Sequence, residues 1–279
     1  MSQKSYNDSP SLYLIPTPIG NLDDITIRAL NTLKAVDLLL CEDTRETGKL
    51  LSRYEIKNKL SSCHEFNEEK IKSYVIAELK KGLNVGLVTD QGTPIISDPG
   101  YLIVKEVIKE GFNVISLPGA TAFVPALTCS GIDPSPFLFY GFLNSKDAKQ
   151  KSELNSLKDV KYTIIFYESP HRIKNTLKNM LEIFGDRKIS ICREISKLYE
   201  EIYRDNISVL VDIVDDMKGE FVLVVEGNHE VADYSDLSIV EHVNLYVDDG
   251  MSDKEAIKLV AKERNIAKSI VYKEYHIGK

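Results

Sequence analysis

The sequence is most informative first for what it lacks. No apolar run reaches the length of a bilayer-spanning helix, so no helical membrane crossing is expected. The opening residues, MSQKSYNDSP, are polar and contain no apolar signal region, so nothing directs the chain to secretion. The four cysteines, Cys41, Cys63, Cys129 and Cys192, form no CxxC pair. The five histidines form no HxxH or HExxH pattern, so no metal is expected and the thiols read as reduced, in a cytoplasmic protein. Glycine-rich phosphate signatures are also missing. The turn at 16–21, PTPIGN, is neither GxGxxG nor a P-loop, which excludes an ordinary nucleoside-triphosphate site. Nor is there an excess of positive charge. The net charge is −7, which argues against a chain coated in nucleic acid. The balance is uneven, however. Residues 252–279 carry seven Lys and Arg against four Asp and Glu, so the basic surplus sits at one end.

What is present is an apolar pattern with regular punctuation. With 279 residues and 43% hydrophobic content, the chain can bury a sizeable core in one large or two ordinary domains. Short β-forming runs at 12–15, 36–41, 85–88 and 113–117 each end in turn formers and lead into an amphipathic helix. Asp24 is the expected cap of the first of these helices, through Ile25, Ala29, Leu30 and Leu33. Strand–helix alternation predicts a parallel sheet, whose strand-to-helix loops gather on one edge. Four loops would then converge: 16–21, 42–45, 90–94 and 119–122. The longest stretch, VGLVTDQGTPIISDPG at 85–100, joins a buried strand to a loop stiffened by Pro94 and Pro99 and freed at Gly92. Such a loop is where open α/β sheets hold ligands. Glu42, Asp43 and Arg45 at the end of the second strand are candidate polar site residues, or a turn and helix cap.

Past the stretch 118–136 the texture changes. Strands at 137–142, 162–167, 188–192, 221–225 and, more weakly, 199–203 suggest a second α/β unit with a mixed sheet. The expected organisation is an N-terminal α/β domain over 1–118, a C-terminal α/β domain over 119–232 and a helical tail over 233–279. In the tail, SDKE at 252–255 reads as a capping box, and two helices around the break at Asn265 and Ile266 form a weak helix-turn-helix pattern. Lys268 and Lys273 there could meet phosphates.

The ordered set LYLIPTPIGNLDDIT, CEDTR, VTDQGTPIISDPGY, LPGATA, GFL, FYESPHRI, REISKLYEE and GEFVLVVEG closely resembles one family. It is that of the bacterial small-subunit ribosomal RNA (cytidine-2′-O)-methyltransferases, in the tetrapyrrole methylase superfamily. The resemblance covers about residues 12–227. It implies two α/β domains, a homodimer, S-adenosylmethionine as cofactor, and 16S ribosomal RNA in the assembled small subunit as acceptor. By motif matching, Pro18, Asp90, Gln91, Gly92, Thr93, Ile96, Thr121, Ala122, Tyr167, Glu168 and Gly227 would contact the cofactor. Glu42, Asp43 and Glu194 would be base candidates, with Arg45, Arg193 and Lys197 placed to hold phosphate or a forming alkoxide. Two positions depart from the family: Gln91 stands where alanine is frequent, and Ala120–Thr121 where proline followed by a small residue is common. A methyltransferase of a tetrapyrrole or other small molecule, and a non-catalytic ribosome-binding protein, remain the alternatives.

Overall fold

The computed structural model describes all residues except 1, 6, 65–66, 216, 230–233, 235–236 and 278–279. The start expected for the tail, at 233, lies outside the described residues. Two compact units result, Met1–Asn228 and His229–Lys279. The division expected at 118 therefore separates two sheets within one unit.

In the first sheet, β1 (Ser11–Leu14), β2 (Leu38–Cys41), β3 (Leu60–Ser62), β4 (Val85–Leu87) and β5 (Asn113–Ser116) pair in parallel, in the order β3-β2-β4-β1-β5. Alternate residues point to opposite faces, as the two-residue strand period requires. Leu12, Leu14, Leu38 and Leu40 pack under α3 (Glu68–Lys80) and α4 (Tyr101–Lys109). Ile15, Leu39 and Cys41 pack under α1 (Ile27–Ala35) and α2 (Thr44–Arg53). Each fully buried Leu or Ile contributes about 1.5–3 kcal/mol of transfer free energy. The caps fall differently from expectation at one point. Asp24 belongs to a short 3₁₀ turn capped by Asn21, and Thr26 caps α1 by accepting from the Ala29 amide. Thr26 is the last extended residue before the helix, the geometry a cap needs.

The second sheet has the order β6-β7-β10-β8-β9. Its strands are β6 (Phe137–Phe142), β7 (Thr163–Glu168), β8 (Lys188–Arg193), β9 (Glu201–Asn206) and β10 (Phe221–Val225). Only β6 and β7 run parallel; the remaining pairs are antiparallel. One face packs on α6 (Asp147–Leu157), α7 (Ile173–Phe184) and the single turn α8 (Ile207–Leu210). The other face gathers Ile165, Cys192, Val222 and Val224 with Ala126 and Leu127 of α5 (Phe123–Cys129) and with Ile19 from the first loop. Both sheets therefore share an apolar joint, and the cavity described below opens beside it.

The second unit holds α9 (Ile239–Asp248), α10 (Asp253–Glu263) and α11 (Lys268–Ile277) around Val243, Ile257, Val260, Val271 and Tyr275. A full capping box forms at Ser238 and Glu241. At Ser252 the hydroxyl accepts from the Glu255 amide but donates to the Glu255 carboxylate, so the box expected there is not closed onto the backbone.

Candidate active site

Parallel strands place their carboxyl ends on one edge, and the four loops expected to converge are laced together there. Thr17 and Gly92 exchange backbone hydrogen bonds of 2.9 and 3.1 Å. The Thr17 hydroxyl donates to the Thr89 carbonyl at 3.1 Å, and the Thr93 hydroxyl to the Ala120 carbonyl at 2.9 Å. The Asp43 amide donates to the Asp90 carboxylate at 3.1 Å. Glu68, the first residue of α3, accepts from the Gly100, Leu102 and Ile103 amides at 3.1, 2.6 and 3.4 Å, which fixes the far end of the long loop to the start of α4. Between these ties the loop is strained. Gly92, Ile95, Ser97 and Gly100 have φ of 84°, 78°, 66° and 127°. A β-branched residue at positive φ costs on the order of 1–3 kcal/mol and persists only where its surroundings enforce it.

Beside this loop lies a cavity of about 360 Å³. Gln91, Gly92, Thr93, Ile96, Ser97 and Asp98 form one wall, Thr121 and Ala122 before α5 another, and Ile19 closes a corner. The second sheet supplies Tyr167 and Glu168 from β7, Phe142 from β6, Ile195 after β8, and Glu220, Phe221 and Val222 at the start of β10. These meet because β10 runs antiparallel to both neighbours, so Phe221 pairs with Glu168 on one side and Arg193 on the other.

The lining carries three carboxyls, Asp98, Glu168 and Glu220, and no Lys or Arg. Burial, with Glu42 and Asp90 nearby, pushes the Asp98 carboxyl up to about 6 against the opposing Thr89 hydrogen bond. Burial and the Asp90 charge also raise Glu42, and burial raises Asp90. Asp43 behaves oppositely: hydrogen bonds from Arg45 hold it down at about 2. Glu168 is almost fully buried and satisfied, accepting from the Ser169 amide at 2.8 Å and the Thr176 hydroxyl at 2.5 Å, with Arg172 at 3.6 Å. Burial raises the Tyr167 phenol, which faces the Thr121 hydroxyl.

Of the residues expected to hold a cofactor, Gln91, Gly92, Thr93, Ile96, Thr121, Ala122, Tyr167 and Glu168 come together in this cavity. Pro18 and Asp90 instead line an adjoining cavity of about 290 Å³, which shares Gln91 with the first. Gly227 lies at the other end of β10, where an added Cβ would stand 2.4 Å from the Lys161 backbone. Its bareness serves strand packing at that end. Arg45 pairs with Asp43 at 2.6 Å, and Asp43 caps α2 through the Arg45 amide. Arg193 binds the Lys218 carbonyl and Glu201, each at 2.6 Å. Lys197 bridges Glu194 and Glu220 at 2.9 Å. Burial pushes the Glu194 carboxyl up, but the Glu220 amide and the Lys197 ammonium outweigh it and hold it low. Lys268 and Lys273 are exposed on the second unit. The sequence reading singled out neither Asp98 nor Phe142, Ile195 and Val222, the last three supplied by β6, the turn after β8 and β10. Among the described residues no group of three or more His, Cys, Asp or Glu is placed to hold a metal ion.

Comparison with known proteins places this geometry in context. The family model for tetrapyrrole (corrin/porphyrin) methylases matches residues 11–211. The chain is 50% identical to the ribosomal RNA small subunit methyltransferase I of Bacillus subtilis, over 99% of this chain and 98% of that one. It is 39% identical to the protein of the same name from Vibrio cholerae, over 96% and 94%. Among solved structures, the uroporphyrin-III C-methyltransferase of Thermus thermophilus complexed with S-adenyl homocysteine superposes with a TM-score of 0.57 at 17% identity, over 77% of this chain and 97% of that one. A cobalt precorrin-4 methyltransferase gives 0.57 at 18% identity, over 77% and 94%.

Proposed function

The chain belongs to the tetrapyrrole (corrin/porphyrin) methylase family, and from that premise we propose that it moves a methyl group from S-adenosylmethionine to a cytidine ribose 2′-hydroxyl of 16S ribosomal RNA in the assembled small subunit. At 39–50% identity over nearly its full length to proteins of that name, the chain is a ribosomal RNA small subunit methyltransferase. The donor is the further step, and one observation carries it. The cavity pairs apolar walls with Asp98, Glu168 and Glu220 and no Lys or Arg in its lining. Arg172 and Lys197 hold Glu168 and Glu220 from outside it, which leaves Asp98 to face a positive sulfonium or ammonium and offers a phosphate no cation. When bound, S-adenosylmethionine supplies a methyl group already activated by its sulfonium, so the chain need not create an electrophile.

The residues of the chain then have three tasks. The backbone of Gly92 and Thr93 and the side chains of Thr121 and Tyr167 shape the donor cavity, and the strained loop holds its wall in one conformation. Alignment of donor and acceptor is the largest available gain, about 7–11 kcal/mol at best. Asp98 lines the cavity with a proton affinity near neutrality, so it is suited to take the proton as the ribose hydroxyl attacks. Asp43, held low by Arg45, is a weaker base at the same edge.

For assembly and place we propose a homodimer in the cytoplasm, supported by the family resemblance and by strongly exposed apolar side chains such as Leu198 (88%) and Tyr199 (71%). Among the described residues no helix is long and apolar enough to cross a membrane. The test is tritium transfer from labelled S-adenosylmethionine to small subunits from cells lacking the enzyme, with free RNA and uroporphyrinogen in parallel. Label in subunit RNA, at one nucleotide resistant to alkaline cleavage, is expected. Label only in the tetrapyrrole would overturn the reading.

A further inference from the structure

The adjoining cavity of about 290 Å³ differs from the first in carrying cations, Lys49 and Arg53, beside its two acids, Glu46 and Asp90. Thr17, Pro18, Asp90 and Gln91 form its floor, and α2 contributes Lys49 and Arg53. Arg45, Lys49 and Arg53 recur every four residues, so they lie along one face of α2. All three are exposed, and this stripe runs along the rim of an otherwise acidic body. Its internal partners are weak competitors. Lys49 pairs with Glu46 at 2.7 Å with both side chains more than half exposed. Arg45 pairs with Asp43 while itself 84% exposed. Arg53 makes no ion pair among the described residues. Exposed pairs of this kind contribute little and exchange readily for a phosphate.

We infer that this second cavity is the acceptor site, and that Lys49 and Arg53, with Arg45 continuing the stripe, hold the RNA backbone on either side of the target nucleotide. The assignment rests on ribosomal RNA being the acceptor. Its physical basis is the exposed basic stripe of α2 beside a cavity that shares a side chain with the donor cavity. Gln91 lines both cavities, so a donor in the first and an acceptor whose backbone is held by the α2 cations would meet across it. Gln91 is a positioning residue in this arrangement: its amide can both donate and accept where the two cavities join.

The experiment compares the parent enzyme with Lys49→Ala/Arg53→Ala and with Arg53→Lys. Binding to small subunits lacking the modification is measured across a salt series, and S-adenosylmethionine binding is measured by calorimetry. Loss of two phosphate contacts should weaken subunit binding about tenfold or more and flatten the log–log salt slope by about 1.5. Cofactor affinity should stay within twofold of the parent, and Arg53→Lys should recover part of both the affinity and the slope. Ultraviolet cross-linking of the parent enzyme to subunit RNA, followed by peptide mapping, reads the same site without any variant and should mark residues 44–54. An unchanged affinity and slope in the double variant, or cross-links confined to 253–277, would overturn the assignment. If the parent transfers no methyl group to subunit RNA under these conditions, the function itself falls, and the inference with it.

Discussion

Glu68→Ala is the perturbation that best separates the architecture of the site from its chemistry. Glu68 is not among the residues that line either cavity. It is 8% exposed, and one of its carboxylate oxygens accepts from the amides of Gly100, Leu102 and Ile103. Those amides are the unpaired donors at the start of α4, where a negative charge is also favoured by the helix dipole. A hydrogen bond to a charged group is worth about 1.5–3 kcal/mol, and orphaned buried amides cost about 1–3 kcal/mol each unless water reaches them. We therefore expect Glu68→Ala to destabilise the body by about 3–4 kcal/mol, or roughly 6–15 °C in Tm for a unit of this size. Glu68→Gln keeps an acceptor oxygen and loses only the charge, so about 1 kcal/mol is expected. Because the tie also holds Gly100 at the end of the strained loop, Glu68→Ala should weaken S-adenosylmethionine binding about tenfold, as expected if opening the loop adds about 1.4 kcal/mol. Thermal melts and calorimetry on the two variants check both numbers. A loss below about 1 kcal/mol with unchanged cofactor affinity would refute the reasoning, as would Glu68→Gln behaving like Glu68→Ala.

Other consequences follow from the same structure. With Asp98 near 6, single-turnover methyl transfer should rise about tenfold per pH unit below that value and level off above it; Asp98→Asn should lower the plateau and remove the limb, and a limb that survives the substitution would exclude Asp98 as the base. Asp98 holds its proton more tightly folded than unfolded, where the value is about 3.9. Its favourable contribution to stability is thus full below that unfolded value and lost as pH rises through about 6, so Asp98→Asn should gain stability relative to the parent at pH 8 in urea titrations. Gly20→Ala places a Cβ 2.3 Å from the Lys197 side chain at a φ of 148°, which should cost about 1–2 kcal/mol in urea unfolding and disturb the Lys197 bridge. Lys268→Ala with Lys273→Ala should leave cofactor binding intact, weaken subunit binding several-fold and reduce its salt slope; an unchanged slope would remove the tail from the RNA interface.

Much of the fold was legible in the residues. Strand–helix alternation gave the parallel sheet, and β6 and β10 fall on the expected residues. Boundary errors elsewhere have local causes. α1 starts at Ile27 because Asn21 first closes a separate 3₁₀ turn. α9 went unread in the sequence, although Ser238 and Glu241 at 238–241 carry the very spacing that was noticed at 252–255. The cavity was half legible. Most of its first-sheet wall comes from one loop, 91–98, marked by Gly and Pro, with Ile19, Thr121 and Ala122 added from two others. Of its second-sheet wall only Tyr167 and Glu168 were named, although the motifs GFL, REISKLYEE and GEFVLVVEG also contain Phe142, Ile195 and residues 220–222, because a motif does not say which of its side chains turn inward.

By itself the sequence determined the fold class, the family and the positions of the turns, because these depend on residue periodicity, on backbone preferences and on motifs read along the chain. Only the tertiary structure decided which turn residues act together. Strand order brings β7, β8 and β10 to the same rim, and antiparallel pairing carries Gly227 to the far end of its sheet while delivering Phe221 and Val222 to the cavity. It also decided charge. Whether Asp43, Asp98 or Glu194 can take a proton is set by burial and by the partners a few ångströms away, and those partners come from other elements of the fold as often as from neighbours in sequence.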